Sequence, residues 1–232
     1  NSLSCSDFQN DILILAGDVT DDILLFEKVL EDLRNRFFHL IYVPGNHDLW
    51  VRYDIHMSSI DKLRQIKIIA NNIGVSMEPL HFEFVSIVPL GGWYDYSFGH
   101  PSNETIQTWM DYRACRWPES YDAENITNYF ITMNESYLDI KNDFIISFSH
   151  FVPRIDLLPW YIPPSKRELY PVLGTFLLEK QIRKLGSSTH VYGHSHINRQ
   201  VFKDNTLYIN NAFGYPYETR MTSKELKCIF ET

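Results

Sequence analysis

The sequence feature that most constrains the fold is a short apolar run at residues 11–16 (DILILA), which stops at Gly17. An apolar run without polar alternation is typical of a strand that is buried on both faces. Residues 39–43 (HLIYV) form a second such run. Between the two runs, Asp21-Asp22 can cap a helix. Its apolar residues recur with a helical period, and they are Ile23, Phe26, Leu30, Leu33 and Phe37. This order predicts an α/β fold with a largely parallel sheet.

The rest of the chain predicts further strands and helices and one segment with weak periodicity. Residues 94–124 are rich in aromatic side chains and punctuated by proline, which favours an insertion over the carboxyl edge of the sheet. The predicted helices are residues 55–66, 126–140 and 174–185, and the predicted strands lie near Ile68 and at residues 81–88, 144–148, 189–193, 199–202, 207–212 and 226–230. Because there is no repeat or linker, residues 1–232 are expected to form a single domain.

Composition and charge exclude several classes of protein. Hydrophobic residues make up 44% of the 232 residues, so the chain can bury a core and is not a disordered or low-complexity protein. The formal charge of −8 argues against nucleic acid or an anionic membrane surface as a partner, because both bind basic surfaces. No apolar run approaches the roughly 20 residues that a membrane-spanning helix needs.

Two further features bear on compartment and completeness. Cys5, Cys115 and Cys228 are odd in number and widely separated, which favours a reducing compartment, the cytoplasm, over a disulfide framework. The chain begins with Asn1 rather than Met, which favours a processed or truncated sequence.

Residues of the kinds that bind metals follow four of the predicted strands directly. These residues are Asp18, Asn46, His47, His150, His194 and His196. In open α/β sheets, ligands bind outside the carboxyl ends of the strands, where these side chains would converge. Glycine precedes three of the clusters and lets the backbone turn sharply there.

The donor types indicate which metals such a site would take. A carboxylate, an amide oxygen and imidazoles form a mixed set that suits Zn, Mn or Fe better than Ca or Mg alone. One aspartate can bridge two cations, and hydroxide held between two cations is a strong nucleophile toward phosphorus.

The motifs that carry these residues, taken in order, resemble those of the calcineurin-like metallophosphoesterase family. They are residues 17–21 (GDVTD), residues 45–48 (GNHD), His150 and residues 193–196 (GHSH). Residues 149–154 (SHFVPR) add a likeness to a eukaryotic branch of that family. The resemblance implies an α/β/β/α sandwich of two mixed sheets flanked by helices. It also implies hydrolysis of P–O bonds in a phosphate ester by a hydroxide that bridges two metal ions.

The resemblance gives each metal-site residue a role. Asp18 would bridge two divalent or trivalent ions, which would be Mn, Fe or Zn. Asn46, His150 and His194 would complete the coordination of one ion, and His196 would bind the other.

Three more residues receive roles in catalysis or substrate binding. In the family, the position of His47 lies near the leaving-group oxygen and assists by proton donation. Asp48 would orient His47 through a hydrogen bond. Arg154 can hold a substrate phosphate or form a surface ion pair, and the sequence leaves both open.

One motif of the family has no counterpart in this chain. The family begins with Asp-x-His at the end of its first strand, and here no histidine precedes His39. The resemblance therefore implies a missing first strand and one incomplete metal site. Two functions stay open: a phosphoesterase whose activity this loss impairs, and a catalytically degenerate domain that serves as a protein-binding scaffold. Retention of His47 favours the enzyme, and a truncated sequence would explain the missing motif.

The aromatic side chains of the insertion also have two interpretations. They can line a substrate pocket or form the core of the insertion, and the core is favoured. The residues are Trp93, Tyr94, Tyr96, Trp109, Tyr112 and Trp117.

Overall fold

The computed structural model describes residues 3–54 and 56–231. Asn1, on which the expectation of a truncated sequence rests, and Ile55, the predicted start of a helix, lie outside the described residues. The strands are β1 (Ile12–Leu15), β2 (His39–Tyr42), β3 (Leu80–His81), β4 (Val85–Pro89), β5 (Phe144–Ser149), β6 (Thr189–Tyr192), β7 (Arg199–Lys203) and β8 (Thr206–Asn210). The α-helices are α1 (Ile23–Arg34), α2 (Ser59–Ile73), α3 (Asn103–Thr108), α4 (Asp111–Ala114), α5 (Ala123–Met133) and α6 (Phe176–Leu185).

The strands form two sheets. β1 and β2 pair in parallel, with Ile12 opposite His39. The other sheet has the order β3-β4-β5-β6-β8-β7. Its inner pairs are parallel, whereas β3 and β7 run antiparallel to their neighbours. The larger sheet is therefore mixed. Helical crossovers join β4 to β5 and β5 to β6, whereas the connection from β6 to β8 runs through the edge strand β7.

An apolar layer joins the two sheets. Ile41 and Val43 from the smaller sheet pack in one cluster with Ile87 and Phe148 from the larger sheet. The opposite face of β2 belongs to the main core, where the ring of Tyr42 lies 5.4 Å from that of Phe26 on α1. The alternation along β2 places one face against the second sheet and the other against helices.

Helix boundaries follow local capping. Ser58 caps α2, and Gly74 ends it in the left-handed conformation at φ 79°. The helix therefore continues through Ile68, and the strand predicted there is wrong. Because its apolar residues are spaced for one helix face, α2 buries Leu63 and Ile66 in the main core. At α1 the cap is Asp22, whose carboxylate accepts from the backbone N–H groups of residues 24 and 25.

Four other expectations differ from the structure. The single strand predicted at residues 81–88 is divided into β3 and β4, which pair antiparallel. Residues 226–230 form no strand, and the predicted helix at 126–140 ends at Met133 before a short 3₁₀ turn. β1 is half-buried along its length rather than buried on both faces. Within the described part of the chain it pairs with β2 alone, which leaves its other edge unpaired there.

The insertion contributes to the core. Trp93 and Tyr94 at its start are buried in the main cluster, which supports the core interpretation for those rings. Among the residues that the structure describes, none of the helices has both the length and the apolar character that a membrane crossing requires.

Candidate metal centre

Four ligand atoms from the ends of four strands converge at one edge of the two sheets. The Nε2 atom of His150, which follows β5, lies 3.0 Å from Nδ1 of His194, which follows β6. The same Nε2 lies 3.1 Å from Oδ1 of Asn46 and 3.4 Å from Oδ1 of Asp18. Asp18 and Asn46 follow β1 and β2, so both sheets contribute to the group as the sequence predicts.

The far nitrogen of each imidazole is held by a backbone carbonyl. Nδ1 of His150 donates to the carbonyl of Ala16 at 2.8 Å, and Nε2 of His194 donates to that of Val172 at 3.1 Å. Burial lowers the pKa of His150 to about 4 and that of His194 well below its usual value, so both rings are neutral at pH 7. The nitrogens that face each other therefore carry lone pairs and no proton.

This arrangement of lone pairs fits a cation. A carboxylate oxygen, an amide oxygen and two imidazole nitrogens lie close together with their lone pairs facing one another, and a cation between them would interact favourably with all four. The set suits Zn, Mn or Fe, and carbonyl partners on the far ring nitrogens are typical of metal-binding histidines.

The charge around the site also calls for a cation. Burial is the main cause that raises the pKa of Asp18 to about 7, and the nearby carboxylates of Asp48 and Asp111 act in the same direction. Within residues 3–54 and 56–231, none of the three has a lysine or arginine at ion-pair distance; the partners of Asp18 are His47 and His150. A bound metal ion would offset this buried negative charge.

Two glycines let the loops after β1 and β2 approach each other. Gly17 has φ +82°, and a Cβ there would lie 2.5 Å from the backbone nitrogen of Gly45. A Cβ on Gly45 would collide with the Asp18 carboxylate. Only glycine permits this contact, which brings Asp18 beside Asn46.

Strained backbone also gathers at the site. The backbone φ angle is 60° at Asp18, 61° at His194 and 50° at His196, and residues other than glycine rarely adopt such positive values. Such strain is typical of residues whose positions are imposed by function.

The Asp48 carboxylate binds the backbone of two loops and does not orient the His47 side chain. Its Oδ2 accepts from the backbone N–H groups of Gly45 and Asp18, both at 2.8 Å. Its Oδ1 accepts from those of Val19 and Thr20 at 2.8 and 3.0 Å. Both oxygens are thus used by backbone donors of two loops, and the expected hydrogen bond to the His47 side chain is replaced by these four.

His47 lies at the rim of the group. Its ring stacks on Trp50, with centroids 3.8 Å apart, and its Nε2 lies 3.9 Å from Oδ2 of Asp18. Its backbone N–H donates to Oδ1 of Asp18 at 3.0 Å. The side chain is 27% exposed, so the imidazole can reach a bound molecule from a fixed position.

Comparison with known proteins identifies the family. A model of calcineurin-like phosphoesterases matches residues 4–198 of the chain. The chain belongs to the calcineurin-like phosphoesterase family.

One curated relative of this phosphoesterase is the [acyl-carrier-protein] phosphodiesterase PptH of Mycobacterium tuberculosis (strain ATCC 25618 / H37Rv). The two are 26% identical over 236 residues, which cover 91% of this chain and 71% of PptH. The crystal structure of the phosphopantetheinyl hydrolase PptH superposes with a TM-score of 0.75 at 25% identity, over 91% of this chain and 82% of that one.

In this phosphoesterase, His196 is not part of the four-atom group. Its Nδ1 contacts Oε2 of Glu218 at 2.8 Å, and its ring lies 5.3 Å from that of Tyr215. Among the described residues, the histidine and carboxylate cluster comprises Asp18, His150 and His194. A second metal ion at His196 stays a prediction.

Arg154 lies in a separate ion-pair cluster. Its guanidinium pairs with Asp156 at 2.7 Å, with Glu179 at 3.0 Å and with Asp204 at 2.7 Å. The arginine holds the pKa of Asp156 at about 2. The structure therefore favours the ion-pair interpretation of Arg154 over phosphate binding, because three carboxylates already occupy its donors.

Sequence reasoning missed several residues that shape the site. Asp111 in the insertion contacts Asn46, Glu218 contacts His196, and the carbonyl of Val172 holds His194. None of them belongs to a motif or to a periodic segment. The aromatic composition of the insertion was the one sequence feature that drew attention to the segment containing Asp111, and it did not indicate an acidic residue.

Proposed function

We propose that this chain is a metal-dependent phosphodiesterase that hydrolyses P–O bonds. The observation that carries the proposal is the convergence of Asp18, Asn46, His150 and His194 on one point, with their lone pairs facing one another. Family membership supports a phosphoester substrate. The similarity to PptH supports a diester, and specifically a phosphopantetheinyl group on an acyl carrier protein, as the substrate to test first.

The residues of the site would have separate roles in metal binding, proton donation and positioning. A metal ion bound at this group would supply a Lewis acid for a phosphoryl oxygen and lower the pKa of water. His47, fixed by its stack on Trp50, would donate a proton to the leaving-group oxygen. Asp48 would keep the two loops together, so that Asp18 and Asn46 hold their positions.

A binuclear centre is the finer part of the proposal. Oδ2 of Asp18 is the carboxylate oxygen that lies toward His47, away from His150, and would serve a second ion. Glu218 holds Nδ1 of His196, which leaves Nε2 available for that ion.

Metal binding is the first test. We expect isothermal titration calorimetry with Mn²⁺ to show binding to the folded protein, and His194→Ala to weaken it by at least about 100-fold, because a ligand is lost outright. His100→Ala is the matched control, since His100 is an exposed histidine of the insertion with no contact to the group. Equal affinity in all three proteins would contradict the assignment of His194.

Hydrolysis is the second test. The Mn²⁺-loaded protein should hydrolyse bis(p-nitrophenyl) phosphate and phosphopantetheinylated acyl carrier protein, and His194→Ala should not. If folded, metal-loaded protein hydrolyses neither these diesters nor p-nitrophenyl phosphate with Mn, Zn or Fe, the protein-binding scaffold replaces the enzyme as the better hypothesis.

A further inference from the structure

A buried acidic residue of the insertion hydrogen-bonds the end of the Asn46 amide that is not directed at His150. Asp111, the first residue of α4, is only 3% exposed. Its Oδ1 accepts from Nδ2 of Asn46 at 2.8 Å and from the indole N–H of Trp50 at 2.7 Å. Its Oδ2 accepts from the indole N–H of Trp109 at 2.8 Å. Within the part of the chain that the structure describes, these neutral donors take the place of a cationic partner.

The hydrogen bond from Asn46 decides which end of its amide faces the metal. An ionised carboxylate only accepts, so it binds the NH₂ end and turns the carbonyl oxygen away from itself. That oxygen then lies 3.1 Å from Nε2 of His150, inside the group of ligand atoms. An amide in the opposite orientation would direct N–H donors at a cation and would lose its acceptor in Asp111.

The two tryptophans connect the same carboxylate to other residues of the site. The ring of Trp50 stacks under His47 at 3.8 Å between centroids. The ring of Trp109 meets His194 edge-on at 5.9 Å. One carboxylate thus restrains the amide of a metal ligand and two rings that pack on site histidines.

We propose that Asp111 is a positioning residue of the metal centre: it orients the Asn46 amide so that its oxygen faces the ion. The proposal rests on metal binding at Asp18, Asn46, His150 and His194, as proposed above. Loss of such a partner behind a ligand typically costs about 10- to 100-fold in metal affinity.

A double-mutant cycle tests whether Asp111 acts through Asn46. We measure Mn²⁺ affinity by calorimetry for the wild type, Asp111→Asn, Asn46→Ala and the double variant. Asp111→Asn should weaken binding by about 10- to 100-fold in the wild-type background and by less than about threefold when Asn46 is already alanine. Glu179→Gln is the matched control, because it removes the charge of a half-buried carboxylate that also accepts several donors but belongs to the separate Arg154 cluster, and it should leave affinity unchanged.

Exchanging the two side chains gives a second test, which can be read even if the variant protein is less stable than the wild type. In Asn46→Asp/Asp111→Asn, the amide at position 111 can donate to the carboxylate at position 46, whose other oxygen faces the metal. This variant should bind Mn²⁺ more tightly than Asp111→Asn, and near-UV circular dichroism should report a native fold. The indole of Trp50 loses its acceptor in the exchange, so the rescue is expected to be partial.

The outcomes separate the two proposals. Wild-type affinity in Asp111→Asn with a lowered melting temperature would show a purely structural residue and overturn the inference. An equal loss of affinity in both backgrounds would also overturn it, because Asp111 would then act independently of Asn46. Absence of Mn²⁺ binding by the wild type would overturn the proposed function itself, together with the inference.

Discussion

At the scale of single residues, backbone carbonyls decide which nitrogen of each site histidine carries the proton. Each imidazole has two nitrogens, and a carbonyl that accepts from one of them leaves the lone pair on the other. The carbonyls of Ala16 and Val172 do this for His150 and His194. The site therefore presents metal-binding nitrogens without any rearrangement, which reduces the free energy needed to organise it.

His47 carries the clearest prediction for a single side chain. If it protonates the leaving group, His47→Ala should lower turnover by roughly 10²- to 10⁴-fold. Mn²⁺ affinity, measured by calorimetry, should stay unchanged, because His47 lies at the rim and is not one of the four proposed ligands. The loss should shrink for diesters with a nitrophenolate leaving group, which needs little protonation. An equal loss for all leaving groups would contradict the role of a proton donor.

At the scale of elements, the site depends on how the loops after β1 and β2 are joined. The loop after β1 turns at Gly17 and the loop after β2 at Gly45. A side chain at Gly17 would collide with the backbone of Gly45, and one at Gly45 would collide with Asp18. Between them, the carboxylate of Asp48 accepts four backbone N–H groups. Buried N–H groups without a partner are costly, so this carboxylate stabilises both turns at once.

Asp48→Asn tests this connection between the loops. The new NH₂ group would face backbone donors that the carboxylate now satisfies. We expect the metal-free protein to lose about 3 kcal/mol of unfolding free energy, since hydrogen bonds to a charged group are worth about 1.5–3 kcal/mol each and some are kept. Urea unfolding in the presence of a chelator measures the change.

Asp22→Asn provides the matched control for that change. Asp22 also accepts backbone N–H groups, but at the exposed N-terminus of α1, where asparagine caps a helix about as well as aspartate. The control should therefore lie within about 0.5 kcal/mol of the wild type. A loss at Asp48 no larger than that at Asp22 would show that the four hydrogen bonds contribute little.

At the scale of the whole molecule, the larger sheet contains a buried histidine that links stability to pH. His190 on β6 is fully buried, with Nδ1 2.8 Å from the hydroxyl of Ser147 and Nε2 3.1 Å from that of Ser149. Burial lowers its pKa from 6.5 to about 3. Below pH 6.5 the unfolded chain binds a proton that the folded protein does not, so stability is complete above that pH and falls as the pH drops toward 3.

The pH dependence can be assigned to His190 by comparison with His190→Gln. Between pH 7 and pH 4.5 this residue should account for about 2–3 kcal/mol of lost stability, which the variant should not show. Urea unfolding of both metal-free proteins at the two pH values measures the difference. His150 and His194 are also buried and neutral, so the wild type should lose more than this amount in total. Parallel losses in the two proteins would contradict the assignment.

The sequence by itself determined the residue types of the site and their places after the strands. Apolar runs followed directly by Asp18, Asn46, His150 and His194, three of them through a glycine, are local patterns, and parallel strand ends at one sheet edge bring such residues together. The position of β2 and the helical period of α1 are local in the same way. The extent of α2 through Ile68 was one of the exceptions, because an isoleucine suits either element.

Only the tertiary structure decided how these residues are held. Asp111 reaches Asn46 across 65 positions of sequence, and the Val172 carbonyl reaches His194 across 22, from segments without a regular period. Packing also determines that the Asp48 carboxylate accepts backbone N–H groups from two loops. In the same way it determines that Arg154 forms ion pairs with three carboxylates. The physical reason is that hydrogen-bond partners are selected by proximity in the folded chain, and a sequence pattern encodes period and turn geometry but not which distant donor meets which acceptor.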